Sequence, residues 1–156
     1  MSIQRKTGGF DIRVLVIGSC GKRKKFTSQD APTCKDLIGK ETLGKWCKIF
    51  PKMTCEARSM YTGNQSRELV GAVDLLRTIA KIEVHLFIIS AGFGILKEDE
   101  LIPPYECSFT GMKKTEIRER ASLLSIDSDF RKICKTRYDL SYLALGSTYL
   151  TSLREG

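Results

Sequence analysis

Three runs of apolar residues predict the strands of a sheet. They cover residues 12–18, 83–89 and 138–145. The second run is apolar nearly throughout, which is typical of a central parallel strand covered on both faces. Helical patterns lie between the runs, so the order of elements predicts an α/β fold with a mostly parallel sheet.

The segments between these strands predict helices. In residues 66–81, apolar side chains recur at helical spacing, and Asn64 or Ser66 is expected to cap the start. The apolar stripe of this helix consists of Leu69, Val73, Leu76 and Ala80. Further helices are expected at 56–60, 115–124 and 127–136, with a short one at 36–48 that two glycines weaken.

The remaining segments predict loops and one domain. Residues 19–35 are expected to form a long basic loop, and residues 90–105 a loop rich in glycine and proline. Residues 1–10 predict a flexible N-terminal arm, and residues 11–156 a single α/β domain.

Composition favours an anionic partner. The 156 residues include 26 Lys and Arg against 18 Asp and Glu, a net charge of +8. This excess favours a polyanion such as nucleic acid. No apolar run approaches the ~20 residues of a membrane span, and the first residues lack the apolar core of a signal peptide. We therefore expect a cytoplasmic protein without a membrane partner.

The cysteines and the histidine predict no metal centre. None of the six cysteines forms a C-x-x-C pair, so a structural zinc site has little support. In the cytosol we expect them to be reduced and most to be small buried hydrophobic residues. The single histidine, His85, lies inside an apolar run and is interpreted as a strand residue.

The end of the first strand predicts an anion site. Small residues follow the strand, and then come four consecutive cations at 22–25. Ligands of open α/β sheets bind beyond the carboxyl ends of the strands, where small residues let backbone N–H groups approach. The candidate binding residues here are Ser19, Cys20, Gly21 and Lys24, with Lys22 beside them. The alternative interpretation of the cations is a solvated surface.

The two other strand ends extend this prediction. They contribute Ser90, Gly92, Phe93 and Gly94 from one turn and Ser147 from the other. Because carboxyl ends of parallel strands share one edge, we expect a single crevice. The spacing matches neither a Walker A loop nor a dinucleotide fingerprint, so no nucleotide cofactor is expected. Tyr61, Phe93 and Tyr105 are candidates for stacking on a base, or alternatively anchor loops, which is favoured for Phe93.

Carboxylates near Pro103-Pro104 are candidates for chemistry. Four of them surround the proline pair, and most are interpreted as surface charge. Glu106 directly follows Tyr105 and is the best placed to hold a water or stabilise a cationic sugar, with Asp99 as a second candidate.

These motifs together resemble a known group of bacterial domains. Its sequences run SCGKKK … LYTG … LSAKYGLL … IxPYD, and it is similar in turn to the peroxide-stress YaaA proteins. The resemblance spans residues 14–150, and the most specific element is the S-A-x-x-G-x-L … P-Y pattern. The matching segments are 19–24, 31–32, 61–63, 90–96 and 102–106.

The resemblance implies a three-layer α/β/α sandwich like that of uracil-DNA glycosylases. Some small proteins of this kind resemble phage-defence DNA glycosylases, which remove modified bases such as glucosylated hydroxymethylcytosine. The chain departs from the pattern where Glu106 replaces the usual aspartate. It also lacks the GQDPYH loop and the catalytic histidine motif of true uracil-DNA glycosylases.

Three functional hypotheses follow. The first is a DNA glycosylase that flips out a modified or damaged base, with Glu106 or Asp99 supporting the sugar cation and the attacking water. Lys22 or Lys24 is an alternative amine nucleophile, or a phosphate contact. The second is a nucleic-acid-binding stress-response module without chemistry. The third is an enzyme that cleaves or transfers a nucleotide sugar. Cys20 is interpreted as a packing residue, with a nucleophilic thiol as the alternative, and the oligomeric state stays open.

Overall fold

A computed structural model describes residues 9–153 of the chain. The strands are β1 Ile12–Ser19, β2 Cys55–Glu56, β3 Ile82–Ser90, β4 Gly94–Lys97, β5 Leu101–Ile102 and β6 Leu140–Ala144. The helices are α1 Thr42–Ile49, α2 Ala57–Met60, α3 Asn64–Arg77, α4 Lys114–Leu123, α5 Ile126–Cys134 and α6 Ser147–Ser152, and Pro51–Met53 forms a 3₁₀ turn. The predicted arm at 1–10 lies almost wholly outside the described residues.

The main sheet has four strands in the order β4-β3-β1-β6. β1 pairs in parallel with β3 on one side and with β6 on the other. Only β4 is antiparallel to its neighbour. β2 and β5 form a separate two-stranded antiparallel pair. The prediction of an α/β fold with a mostly parallel sheet is thus confirmed.

Helices cover both faces of the sheet. On one face, α3 packs Val73 against Val14 and Val16 of β1 and against the neighbouring residues of β3. On the other face, Leu15 and Ile17 join a larger core with residues of α4 and α5. Both faces of β1 are therefore buried, which explains why its sequence is continuously apolar. No helix in the described range is long and apolar enough to cross a membrane.

The segment predicted as a loop at 90–105 contains two strands. After Ser90 the chain turns tightly and returns as β4, antiparallel to β3. The return depends on Gly94, whose φ of +79° lies in the left-handed region that favours glycine. A Cβ at this position would lie 2.8 Å from the Leu124 carbonyl oxygen. β4 is only four residues long, so its apolar pattern is too short to distinguish it from a loop.

Several predicted boundaries are also corrected. α3 begins at Asn64 with Gly63 as its N-cap, and no described side chain caps it, so the predicted caps are wrong. It ends at Arg77, which leaves Ala80 exposed outside the helix. α1 begins only after Gly39, and α6 was not predicted. The third predicted strand, β6, is shorter than expected and lies at the edge of the sheet.

The expectation that the cysteines are all reduced and mostly buried is wrong for this structure. Cys34 and Cys107 form a disulfide between two loops, with a Cα–Cα distance of 4.8 Å. The loops meet because Thr33 pairs with Glu106. The two cysteines are 73 residues apart, so no local spacing in the sequence predicts their pairing. Among the four free cysteines, only Cys20 is buried.

Arg120 of α4 joins three loop segments. Its guanidinium donates hydrogen bonds to the carbonyl oxygens of Ala91, Cys34 and Leu37, the latter two at 2.9 Å. The side chain is half buried, and burial lowers its pKa from the usual value. The bonds connect the turn after β3 to the loop that carries the disulfide, so Arg120 stabilises the loops on this side of the sheet.

We expect Arg120→Met to lower the free energy of unfolding by about 2–4 kcal/mol, because three carbonyl oxygens lose a charged donor in a half-buried place. Denaturant unfolding measures this change. Arg118→Met is the matched control, since Arg118 lies exposed on the same helix, and it should change stability by less than about 0.5 kcal/mol. Equal effects of the two substitutions would contradict the role assigned to Arg120.

Candidate site at the carboxyl edge of the sheet

The three parallel strands end at one edge of the sheet. The register aligns Gly18 of β1 with Ile88 of β3 and with Ala144 of β6. The segments that follow are the basic loop after β1, the turn at 90–94 and the start of α6. The prediction that these three strand ends share one edge is therefore supported by the topology.

A chain of buried hydroxyl groups lies at this edge. The backbone N–H groups of Gly92 and Phe93 donate to Ser90 Oγ, each at 3.1 Å. Ser90 Oγ donates to Tyr105 Oη at 2.8 Å, and Tyr105 Oη lies 2.7 Å from Tyr61 Oη. Because Tyr105 Oη accepts the proton of Ser90, its own proton is available to Tyr61. The structure thus connects five of the predicted site residues directly.

Cys20 lies beside this chain and contacts α6. Its Sγ is 2.8 Å from Tyr149 Oη, and Tyr149 Oη donates to the Cys20 carbonyl oxygen at 3.3 Å. Both residues are buried, which supports the packing role predicted for Cys20. Tyr149 was not among the predicted site residues, although it follows Ser147 in the same turn. The unpredicted helix α6 aims Tyr149 inward and leaves Ser147 exposed.

Burial keeps these hydroxyl groups neutral. It raises the pKa values of Tyr61, Tyr105 and Tyr149 well above the usual value for tyrosine, and the nearby Cys20 thiol raises them further. The phenols are therefore hydrogen-bond donors at neutral pH rather than bases or nucleophiles.

The turn after β3 packs too tightly to admit a ligand. A Cβ at Gly92 would lie 2.8 Å from the Tyr105 ring and 2.9 Å from a Leu37 methyl. Phe93 packs edge-on against Tyr105, with ring centroids 4.8 Å apart. The residues from Ser90 to Gly94 are all buried. The structure therefore buries the predicted residues of this turn and the rings of Tyr61 and Tyr105.

The basic loop covers the hydroxyl chain. Lys24 Nζ lies 4.5 Å from the centroid of the Tyr105 ring, a cation–π contact. The loop is fastened to the segment before α3, because Lys25 N–H donates to Met60 O at 2.7 Å and Thr62 N–H donates to Arg23 O at 3.0 Å. Lys22 is exposed, so its ammonium is accessible from solvent.

The start of α3 adds to the positive potential of this edge. The helix has 14 residues and no side-chain cap among the described residues, so its first N–H groups lack a side-chain acceptor. A Cβ at Gly21 would be 3.6 Å from Ser66 Oγ, which shows that the loop passes close to the first turn. Residues 22–52 contain nine cations and three carboxylates, a net of +6 from the total of +8. Among these cations, the exposed Lys22, Arg23 and Lys25 of the loop after β1 are suited to a polyanion.

The two predicted carboxylates lie in different places. Glu106 is exposed beside the disulfide, and its N–H donates to Pro32 O at 2.8 Å. It directly follows Tyr105, the ring that Lys24 covers. Asp99 is exposed in a separate groove along β3 and β4, together with Arg58 and Arg77. The structure therefore brings Glu106, but not Asp99, to the side of the basic loop.

Within residues 9–153, no cluster of three or more His, Cys, Asp or Glu side chains is placed to hold a metal ion.

Comparisons with models of protein families, with curated proteins and with solved structures find no match to this chain. The chemistry of the site therefore has to be argued from its own residues.

We expect the three buried tyrosines to resist ionisation in the folded protein. Their folded pKa values lie above the unfolded value of about 10, so they contribute stability that is present below pH ~10 and lost as the pH rises beyond it. Spectrophotometric titration should show them ionising only as the protein unfolds. Tyr105→Phe should remove one tyrosine from this late phase, and reversible ionisation of every tyrosine without unfolding would contradict the burial described here.

Proposed function

We propose that this protein is a DNA glycosylase that removes a modified or damaged base and leaves an abasic site. The observation that carries the proposal is that the basic loop contacts the Tyr105 ring through Lys24 and passes close to the first turn of α3, while the exposed Glu106 directly follows Tyr105 in the chain. The resemblance to phage-defence glycosylases suggests hypermodified cytosine as the base. A uracil-DNA-glycosylase-like sandwich and a cytoplasmic location are parts of the same proposal.

The basic surface is assigned to the DNA backbone. Lys22, Arg23 and Lys25 are exposed, and the first N–H groups of α3 lie next to their loop. Ammonium and guanidinium groups that neutralise phosphates release counterions, which makes binding strongly dependent on salt. Contacts with the phosphates do not depend on the base sequence of the DNA. We therefore assign discrimination of the base to the crevice predicted at the carboxyl edge of the sheet.

Glu106 is assigned to the chemistry. Cleavage of the N-glycosidic bond sends its electron pair to the base and leaves positive charge on the sugar, which a carboxylate stabilises. A water held by the same carboxylate then bonds to the sugar carbon and loses a proton to that carboxylate, and the departed base takes up a proton from solvent. The exposure of Glu106 leaves it accessible to a sugar and a water. Asp99 is a weaker candidate because it lies in the other groove.

A binding module without chemistry is the second candidate. It is favoured by the burial of Tyr61 and Tyr105, whose relative exposures of 3% and 0% leave no ring face for an extruded base. In the glycosylase proposal these rings shape the floor of the crevice, and exposed atoms of the loop and of Glu106 contact the nucleotide.

We expect Lys22→Gln to weaken DNA binding and to reduce the slope of log K against log salt by about 0.9 for duplex DNA, because one phosphate contact is lost. Fluorescence anisotropy at several salt concentrations measures this slope. Lys135→Gln is the matched control, since Lys135 is exposed shortly before β6 and should leave the slope unchanged. An unchanged slope for Lys22→Gln argues against a phosphate contact there.

We expect the protein to form abasic sites in phage DNA that carries hypermodified cytosine and not in plain DNA. Glu106→Gln should lower the rate by about 100-fold or more while binding persists, whereas the exposed α4 variant Glu119→Gln should retain the full rate.

Borohydride trapping of a covalent complex that disappears in Lys22→Gln would instead identify Lys22 as the nucleophile. Binding without abasic sites supports the non-catalytic module, and turnover of a nucleotide sugar without DNA binding supports the third hypothesis.

A further inference from the structure

β6 forms an open edge of the sheet. It pairs with β1 on one side and with no described strand on the other. Its side chains are unusually exposed for an apolar strand, with relative exposures of 59% for Leu140, 58% for Tyr142 and 40% for Leu143. Strands at the edge of a sheet present free N–H and C=O groups that can pair with another chain.

β6 contains no proline, lysine or other charged residue, and its register with β1 has no bulge. Protected edges have lysine, proline, an inward charge or a bulge. The opposite edge strand, β4, is only four residues long and ends in the exposed Lys97. By contrast, the segment from Leu140 to Leu153 contains no charged residue, although 28% of the whole chain is charged. This uncharged edge therefore differs from the rest of the molecular surface.

The hydrogen-bond pattern of β1 shows which groups of β6 are free. Ile12 N–H donates to Lys81 O and Cys20 N–H donates to Ile89 O, so even-numbered residues of β1 bond to β3. Odd-numbered peptide groups of β1 then face β6. Since Val16 aligns with Tyr142, the peptide groups of Tyr142 bond to β1. By the same alternation, the backbone N–H and C=O groups of Ser141 and Leu143 point away from the sheet.

This alternation selects one pairing with a second copy. An antiparallel partner must bond to the outward groups at 141 and 143, which allows only registers that pair an odd residue with an odd residue. Among these, the register that pairs every residue of Leu140–Ala144 places Tyr142 opposite its own copy. Ser141 then bonds to Leu143 of the second copy through both N–H and C=O, and Leu140 faces Ala144.

We propose that the protein forms a two-fold symmetric dimer in which the β6 strands pair antiparallel and unite the two sheets. A second copy fits this edge because its own β6 is equally uncharged, so that no charge is left opposite an uncharged surface. Two chains of net charge +8 repel each other over most of their surface. The uncharged edge allows approach without placing like charges opposite one another, and a closed two-fold contact covers both free edges at once.

The mass of the native chain in solution tests the dimer. Sedimentation at about 100 μM should give a species of twice 17.5 kDa. Tyr142→Lys should sediment as a monomer, because the axis would bring two ammonium groups together. Ile49→Lys adds the same charge at an exposed position on α1 and should stay dimeric. A native chain that sediments as a monomer overturns the proposal, whether or not its own terminal residues cover the edge. A Tyr142→Lys variant that stays dimeric overturns it as well.

Cysteine cross-linking tests the register. Residues opposite each other in a non-hydrogen-bonded antiparallel pair have Cα atoms about 4.5 Å apart, within the range of a disulfide. In a Cys134→Ser background, which removes the exposed thiol, Tyr142→Cys should form an intermolecular disulfide under mild oxidation. Ser141→Cys should not, because its own copy lies diagonally across. Cross-linking at position 141 but not at 142 would overturn the proposed register even if Tyr142→Lys failed to fold.

Discussion

The parallel pairing of β1 with β3 and with β6 is the constraint on which the other features depend. β1 has hydrogen-bonded neighbours on both sides and helices on both faces, so its residues from Val14 to Gly18 are buried. Because parallel strands end at the same edge, this pairing brings the basic loop, the turn after β3 and the start of α6 together. It also leaves β6 without a second neighbour among the described strands, from which the dimer proposal follows.

The edge has a buried polar layer and an exposed charged surface. Ser90, Tyr105 and Tyr61 satisfy one another's hydroxyl groups, while Arg120 and the Cys34–Cys107 disulfide hold the surrounding loops. A buried polar network of this kind stabilises one conformation because any displacement leaves a buried group without a partner. The cations and Glu106 lie outside this layer, where a ligand can reach them. This division of roles places recognition and chemistry on the exposed groups rather than on the tyrosines.

Much of the candidate site was predictable, but the roles of its residues were not. Cys20, Tyr61, Ser90 and Tyr105 lie together as predicted, because the ends of parallel strands converge. Their burial was not predictable, since it depends on how Lys24, Phe93 and Leu37 pack over them. Tyr149 was missed for the same reason, and Asp99 was grouped with Glu106 only because the two are close in sequence.

The sequence by itself determined the α/β class, the three parallel strands, the main helices and the cationic loop after β1. Each of these follows from a pattern within a few neighbouring residues, such as an apolar run or a helical stripe. Only the tertiary structure decided the return strand β4, the pairing of cysteines 73 residues apart, the inward aim of Tyr149 and the open edge of β6. These features depend on burial and hydrogen bonding between residues that are distant in the chain. No local sequence pattern predicts which distant segments will contact each other.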